Sequence, residues 1–165
     1  MAIPSDVKVA LSLGRLLPYK GIEELIVNFS RANVENSLLL VAGSCASFEY
    51  SEYLLSMARQ YSSANAEIRV VASFIEGDEL QYYFNAADFA VLPFKNILNS
   101  GSLLLAMSFG KCVVAPDIGS IGEVACQEGW FSYLVDSEYG LESALSRCMG
   151  VEDYRKLEDS TKKYV

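Results

Sequence analysis

The sequence predicts a three-layer α/β domain, with a parallel sheet of about six strands covered by helices on both faces. Two observations carry this. Short apolar runs of β-type residues alternate, six times over, with stretches of helical period. The runs are continuously apolar rather than alternating, as in strands buried on both faces of a parallel sheet. Right-handed crossovers between such strands give a doubly wound, Rossmann-like arrangement, in which ligands sit at the carboxyl ends of the strands.

The elements follow in order. Val7 to Leu13 is a first strand, and Gly14 to Gly21 a loop punctuated by Pro18 and two glycines. Ile22, Leu25, Ile26 and Phe29 then recur on one helix face. Ser37 to Ala42 is a second strand, closed by Gly43, and a helix is expected from about Ser51 to Ser62, with Leu54, Met57, Ala58 and Tyr61 inward. Glu67 to Ser73 is a third strand, followed by the stripe Leu80, Tyr83, Phe84, Ala87. Phe89 to Pro93 is the fourth strand. Ser102 to Phe109 is apolar nearly all round and predicts a helix buried on several sides. Cys112 to Ala115, a short helix over Ile121 to Gln127, a last strand at Trp130 to Val135 and the stripe Leu141, Ala144, Leu145, Cys148 complete the pattern. The polar tail 152–165 is expected to be helical. With 165 residues and no linker or low-complexity tract, the whole of 1–165 is expected to form one domain.

Composition excludes several classes of function. The net charge of −8 disfavours binding to nucleic acid or to an anionic membrane surface. No apolar run approaches the ~18 residues that span a bilayer, and no cleavable leader is evident. A cytoplasmic protein is therefore expected, with membrane contact only through other parts of a parent protein. The chain has no histidine, which excludes a Ser-His-Asp triad, a Cys-His pair and any His-ligated metal within it. Cys45, Cys112, Cys126 and Cys148 are scattered without a C-x-x-C, so no metal site is expected and the thiols are read as reduced packing residues. Trp130 and the ten tyrosines are likewise read first as packing.

Function is then sought in the loops that follow the strands. Gly14-Arg15-Leu16-Leu17-Pro18-Tyr19-Lys20-Gly21 places two cations at one lip of the crevice. Arginine offers a planar fork for phosphate oxygens and lysine a mobile point charge. The bland reading is that both pair with surface carboxylates. Asn99-Ser100-Gly101-Ser102 precedes the apolar helix, where free amides and the helix dipole favour an anion; it also reads as an ordinary N-cap. Asp117 to Glu123 carries two glycines and a glutamate, Glu123, that either caps backbone or meets a sugar hydroxyl. Gly43-Ser44 and Phe74-Ile75 end the second and third strands and could flank a flat base. No G-x-G-x-x-G follows the first strand, which argues against NAD.

In sequence order these segments are GRLLPYKGIEELI, LLLVAG, DELQYYFNAADFAVLP, SGSLLLAMSFGKCVVAP and GSIGEV. The series resembles the C-terminal, donor-binding domain of the group 1 (family 4-like) glycosyltransferases of GT-B fold, over about residues 7 to 150. The resemblance implies transfer of a sugar from a nucleoside-diphosphate sugar to an acceptor glycan or lipid. It implies that Arg15 and Lys20 bind the donor diphosphate, that Ser100 to Leu103 (with Gly101 and Ser102) hold the distal phosphate, and that Phe74 and Ile75 hold the base. It implies no metal or other cofactor. Two glutamates common in the family are replaced here by Ile97 and Leu105, and polar Asn99, Ser100 and Ser102 are candidates to take over their contacts. A GT-B enzyme has two such domains, so the acceptor half is expected elsewhere in the parent protein and this chain alone is expected to be inactive. The alternatives are a non-catalytic nucleotide-sugar-binding module, or half of a GT-B-like sugar-nucleotide epimerase.

Overall fold

The computed structural model describes residues 3–95, 101–127 and 130–154. The expected helix in 152–165, residues Asn99 and Ser100, and Ile97 lie wholly or largely outside them. The elements run β1 (Lys8–Leu13), α1 (Ile22–Ala32), β2 (Ser37–Ala42), α2 (Phe48–Tyr61), β3 (Ala66–Val71), α3 (Leu80–Ala86), β4 (Phe89–Val91), α4 (Gly101–Ser108), β5 (Val113–Pro116), α5 (Gly119–Gln127), β6 (Phe131–Tyr133) and α6 (Gly140–Met149). All pairings are parallel and the strand order is β3-β2-β1-β4-β5-β6. This is the doubly wound, Rossmann-like domain expected.

The strand composition explains the layering. All six residues of β2 are buried, and Leu39 to Ala42 have no exposure at all, as befits an interior strand paired with β1 and β3 and covered on both faces. The outer strand β3 instead exposes Glu67, which pairs with Arg69 along the same strand. Charges on an edge strand discourage further pairing. α1 buries Ile22, Leu25, Ile26 and Phe29, the four positions of its apolar stripe.

Some element boundaries differ from expectation, for local reasons. α2 begins three residues early, capped by the Ser47 hydroxyl, which accepts from the Tyr50 amide at 3.2 Å. Its first residue, Phe48, is 75% exposed, so the apolar period does not reach the true start. α5 begins at Gly119 rather than Ile121, so Gly119 to Glu123, five of the seven residues of the expected loop Asp117 to Glu123, are helical. α4 buries Leu103, Ala106 and Met107 but leaves Leu104 68% exposed, so it is not buried on every side despite its composition. Trp130, Cys112 and Cys148 are core residues, the two cysteines as free thiols.

The strand order fixes where a ligand can go. The chain adds β2 and β3 on one side of β1, then returns to place β4 on the other side. The loops after β1 and β4 therefore diverge in opposite directions and open a crevice at the carboxyl edge.

Candidate functional site

The loop after β1 lies in that crevice and is anchored to the loop after β2. The Gly14 amide donates to Ala42 O at 3.0 Å, Leu16 N to Ser44 O at 2.9 Å and Ala46 N to Leu16 O at 3.0 Å. Gly43 makes this crossing possible: a Cβ there would stand 1.8 Å from Gly14 O, and its φ is +147°. Only glycine accepts both the contact and the conformation.

Across the crevice, α4 presents its first turn. A Cβ placed on Gly14 would lie 3.1 Å from Ser102 Oγ and 3.8 Å from Lys20 Nζ, so the first loop, its lysine and the helix start meet at one point. Arg15, Lys20 and Ser102 line a common recess of about 10 Å³, together with buried Ser12 at the end of β1. That is room for about one water molecule. Gly101 has nothing within 4 Å of where its Cβ would be, so the opening turn of α4 faces open space. Leu103 packs below in the core.

The electrostatics of this point are unbalanced. Among the described residues neither Arg15 nor Lys20 has a carboxylate partner within salt-bridge distance; the two ion pairs there are Arg69–Glu67 and Lys95–Glu24. Arg15 is exposed. Lys20 is half-buried, its ammonium 5.6 Å from the centre of the Phe94 ring. Burial, and secondarily the neighbouring Arg15 charge, hold its pKa below the ordinary lysine value. The bland reading of this loop, cations neutralised by surface carboxylates, finds no support among these residues.

A second cavity of about 270 Å³ continues from the same loop. It is lined by Gly14 and Arg15 on one side and by Gly43, Ser44, Phe74 and Ile75 on the other, with Leu13 and Leu80. Phe74 is 70% exposed at its mouth. Residues chosen from three different loops thus share one space with Arg15. Leu80 was not singled out in the sequence; it reads there only as a helix-stripe residue. Glu123 stands exposed on α5 and lines neither cavity. No group of three or more His, Cys, Asp or Glu side chains suited to a metal ion occurs among the described residues.

Comparison with known proteins converges on one family. The profile described as "Glycosyl transferases group 1" matches residues 1–147. The chain belongs to the group 1 glycosyl transferases. A GDP-mannose:glycolipid 4-beta-D-mannosyltransferase of Xanthomonas campestris pv. campestris is 28% identical over 131 residues, which are 78% of this chain and 36% of that protein. The chain spans about a third of the length of the curated relatives it matches. Among solved structures, the catalytic domain of starch synthase IV from Arabidopsis thaliana, bound to ADP and acarbose, superposes with a TM-score of 0.76 at 17% identity, covering 99% of this chain and 35% of that one. The C-terminal domain of a glycosyl transferase group 1 family protein from Francisella tularensis gives 0.72 at 18% identity, covering 97% and 83%. The fold of this group 1 glycosyl transferase chain is thus the Rossmann-like α/β domain of GT-B enzymes, as the resemblance implied. No helix among its described residues is long and apolar enough to cross a membrane.

Proposed function

We propose that this domain is the donor-binding half of a glycosyltransferase that moves a sugar from a nucleoside-diphosphate sugar to an acceptor glycan or lipid. The observation that carries the reading is the pair Arg15 and Lys20, without carboxylate partners among the described residues, gathered with Ser102 at the start of α4. The recess between them is too small for a diphosphate, so its oxygens lie over the mouth, within reach of the exposed guanidinium, the lysine and the start of α4. The nucleoside extends into the adjoining cavity beside Ser44, Phe74 and Ile75. When the glycosidic bond to the donor breaks, negative charge grows on the departing phosphate, and fixed cations aimed at that oxygen lower the barrier. This assigns the charge-stabilising work to side chains and a helix terminus and gives no role to a metal ion. Gly101 and Leu103 are assigned to the phosphate side of the site, with Asn99 and Ser100 assigned there on the sequence alone, and Glu123, which lines neither cavity, is given no contact.

The mannosyltransferase relative uses GDP-mannose by name and the starch synthase domain holds ADP, which supports a nucleoside-diphosphate donor here. The chain spans about a third of its curated relatives, which supports placing the acceptor half in another part of a parent protein. One observation favours the second reading, a non-catalytic nucleotide-sugar-binding module: Leu105, where the family commonly has a glutamate, is half-buried on α4. Sugar transfer by the full-length protein excludes that module.

The test is titration of the domain with GDP, UDP and ADP, followed by NMR. The expected result is saturable shifts over Gly14 to Lys20, Ser44, Phe74, Ile75 and Gly101 to Leu103, abolished by the double change Arg15→Ala, Lys20→Ala. The reading fails if no nucleotide moves these resonances at millimolar concentration, or if the double variant binds equally well.

A further inference from the structure

A larger cavity, of about 350 Å³, lies on the far side of Phe94 from the Arg15–Lys20 recess. Phe94, itself 5% exposed, forms part of the wall of both. The cavity is closed by α1, the end of β4, the end of β6 and the start of α6. Its volume falls within the range of roughly 300–1,000 Å³ typical of small-molecule sites.

Its chemistry differs from that of the recess. Glu24 and Glu138 contribute two carboxylates and Lys95 one ammonium, already paired with Glu24, so the lining carries a net negative charge. An anionic phosphate is repelled there. Tyr133 decides the point. It is only 9% exposed and lines the cavity, yet its hydroxyl has no hydrogen-bond partner among the described residues. Burial, and then the nearby Glu24 carboxylate, keep this phenol protonated far above the ordinary range. The hydroxyl is not among the fully buried side-chain atoms left without a partner, so it opens to the cavity, where a protonated phenol beside acceptors is poised to donate. Ser137 adds a second hydroxyl and Asn28 an amide whose Nδ2 already donates to Glu24 O at 2.8 Å, leaving its oxygen available. Phe94, Val135 and Leu141 supply an apolar wall.

Donors and acceptors interleaved around an apolar wall, with no cation free, match a ring bearing several neighbouring hydroxyls. We infer that this cavity is a second ligand site that takes one neutral sugar ring, separate from the nucleotide site and divided from it by the Phe94 side chain. The ring is either a free hexoside or the terminal residue of a glycan. The inference stands on this cavity's own lining and does not require the nucleotide reading.

It is tested by NMR titration of the domain with methyl α-D-mannopyranoside, methyl α-D-glucopyranoside and the corresponding disaccharides. The expected result is saturable shifts at Asn28, Tyr133 and Ser137 with roughly millimolar affinity. Tyr133→Phe and, independently, the solvent-side Glu138→Gln each weaken binding by about threefold to tenfold, the effect of one lost hydrogen bond. Lys20→Ala leaves it unchanged, and GDP shifts only the other set of resonances. Tighter binding of a disaccharide than of its monosaccharide assigns the site to a chain end; the reverse assigns it to a free hexoside. The inference is overturned if no sugar gives saturable shifts at about 50 mM, well above millimolar affinity, if the shifts map to Gly14–Lys20 instead, or if neither variant alters binding. Failure here leaves the nucleotide titration unaffected, and failure of the nucleotide titration leaves this result unaffected.

Discussion

The two rims of the sheet use lysine in opposite ways. At the amino rim, the Lys8 ammonium donates to Met149 O and to Val151 O, the latter at 2.8 Å, and lies 6.0 Å from the Tyr154 ring centre. Asp88 Oδ2 accepts from the Val9 amide at 2.7 Å, and Tyr154 OH donates to Cys148 O at 2.7 Å. The last described segment of the chain is thereby fastened under the sheet, and the polar groups named are partnered. At the carboxyl rim, Lys20 sits beside another cation over an aromatic ring, with no such partners. A charge satisfied within the fold stabilises it. A charge held half-buried and unpaired costs stability and is available to something that is not part of the fold. The amino rim is built for the domain, the carboxyl rim for a ligand.

The largest expected effect comes from breaking the carboxyl rim's scaffold rather than its charges. In Gly43→Ala the new Cβ meets Gly14 O, a backbone atom that cannot move aside, at a φ that alanine rarely adopts. The expected loss is about 3–5 kcal/mol in urea unfolding, the range of severe overpacking with backbone strain. In whatever fraction remains folded, the loops after β1 and β2 separate and nucleotide binding disappears. A stability within about 1 kcal/mol of the parent would show that the crossing of these two glycines does not hold the rim together.

The comparison itself is tested by paired substitutions. Lys8→Met strands two carbonyls that now accept from a charged donor, and is expected to cost about 1.5–3 kcal/mol while leaving nucleotide affinity unchanged. Lys20→Met removes a half-buried cation that has no partner. Its effect on stability is expected to stay within about 0.5 kcal/mol, with the sign toward greater stability, whereas nucleotide affinity falls about tenfold or more. Urea melts and NMR titrations of the two variants are expected to show opposite patterns. If Lys20→Met destabilises as much as Lys8→Met, the two rims are not distinct.

Much of this contrast was legible in the sequence, because it rests on order along the chain. The apolar stripe of α1 and the continuous run SLLLVA of β2 mark a parallel, doubly wound sheet, and in such a sheet every loop after a strand falls on one rim. Arg15, Ser44, Phe74, Ile75 and Ser102 could therefore be grouped before any coordinates. What periodicity does not carry is contact between residues far apart. Glu24 reads as a solvated helix position, Phe94 as the residue after a strand-ending proline and Tyr133 as core, and only the packing of α6 against both α1 and β6 joins them in one cavity. Amino-rim fastening by Lys8 was invisible for the same reason: a lysine opening a strand carries no mark of the carbonyls it will meet. The early starts of α2 and α5 were missed because Phe48 and Gly119 give no inward apolar signal.

The smallest effect expected is on alkaline stability, and it places one tyrosine on each rim. Burial raises the pKa of Tyr133, with Glu24 adding to it, and burial raises that of Tyr154, with Cys148 adding to it. Both phenols hold their protons in the folded state at pH values where the unfolded chain releases them. The stability they contribute is fully present below the unfolded value of about 10 and falls as pH rises above it, at about 1.4 kcal/mol per pH unit for the well-buried Tyr133 and less for Tyr154, which is more open to solvent. Absorbance at 295 nm should show these two, together with Tyr50, which burial and its hydrogen bond to Glu23 also raise, among the tyrosines that ionise only with unfolding. The variants then separate the rims. Both Tyr133→Phe and Tyr154→Phe flatten the alkaline fall. At neutral pH, however, Tyr154→Phe loses about 0.5–1 kcal/mol, because Cys148 O loses its phenol donor and keeps the Val151 amide, while Tyr133→Phe loses nothing, because its hydroxyl donates to no described residue. Equal losses at neutral pH would mean that the Tyr133 hydroxyl is already satisfied within the fold and is not waiting for a ligand.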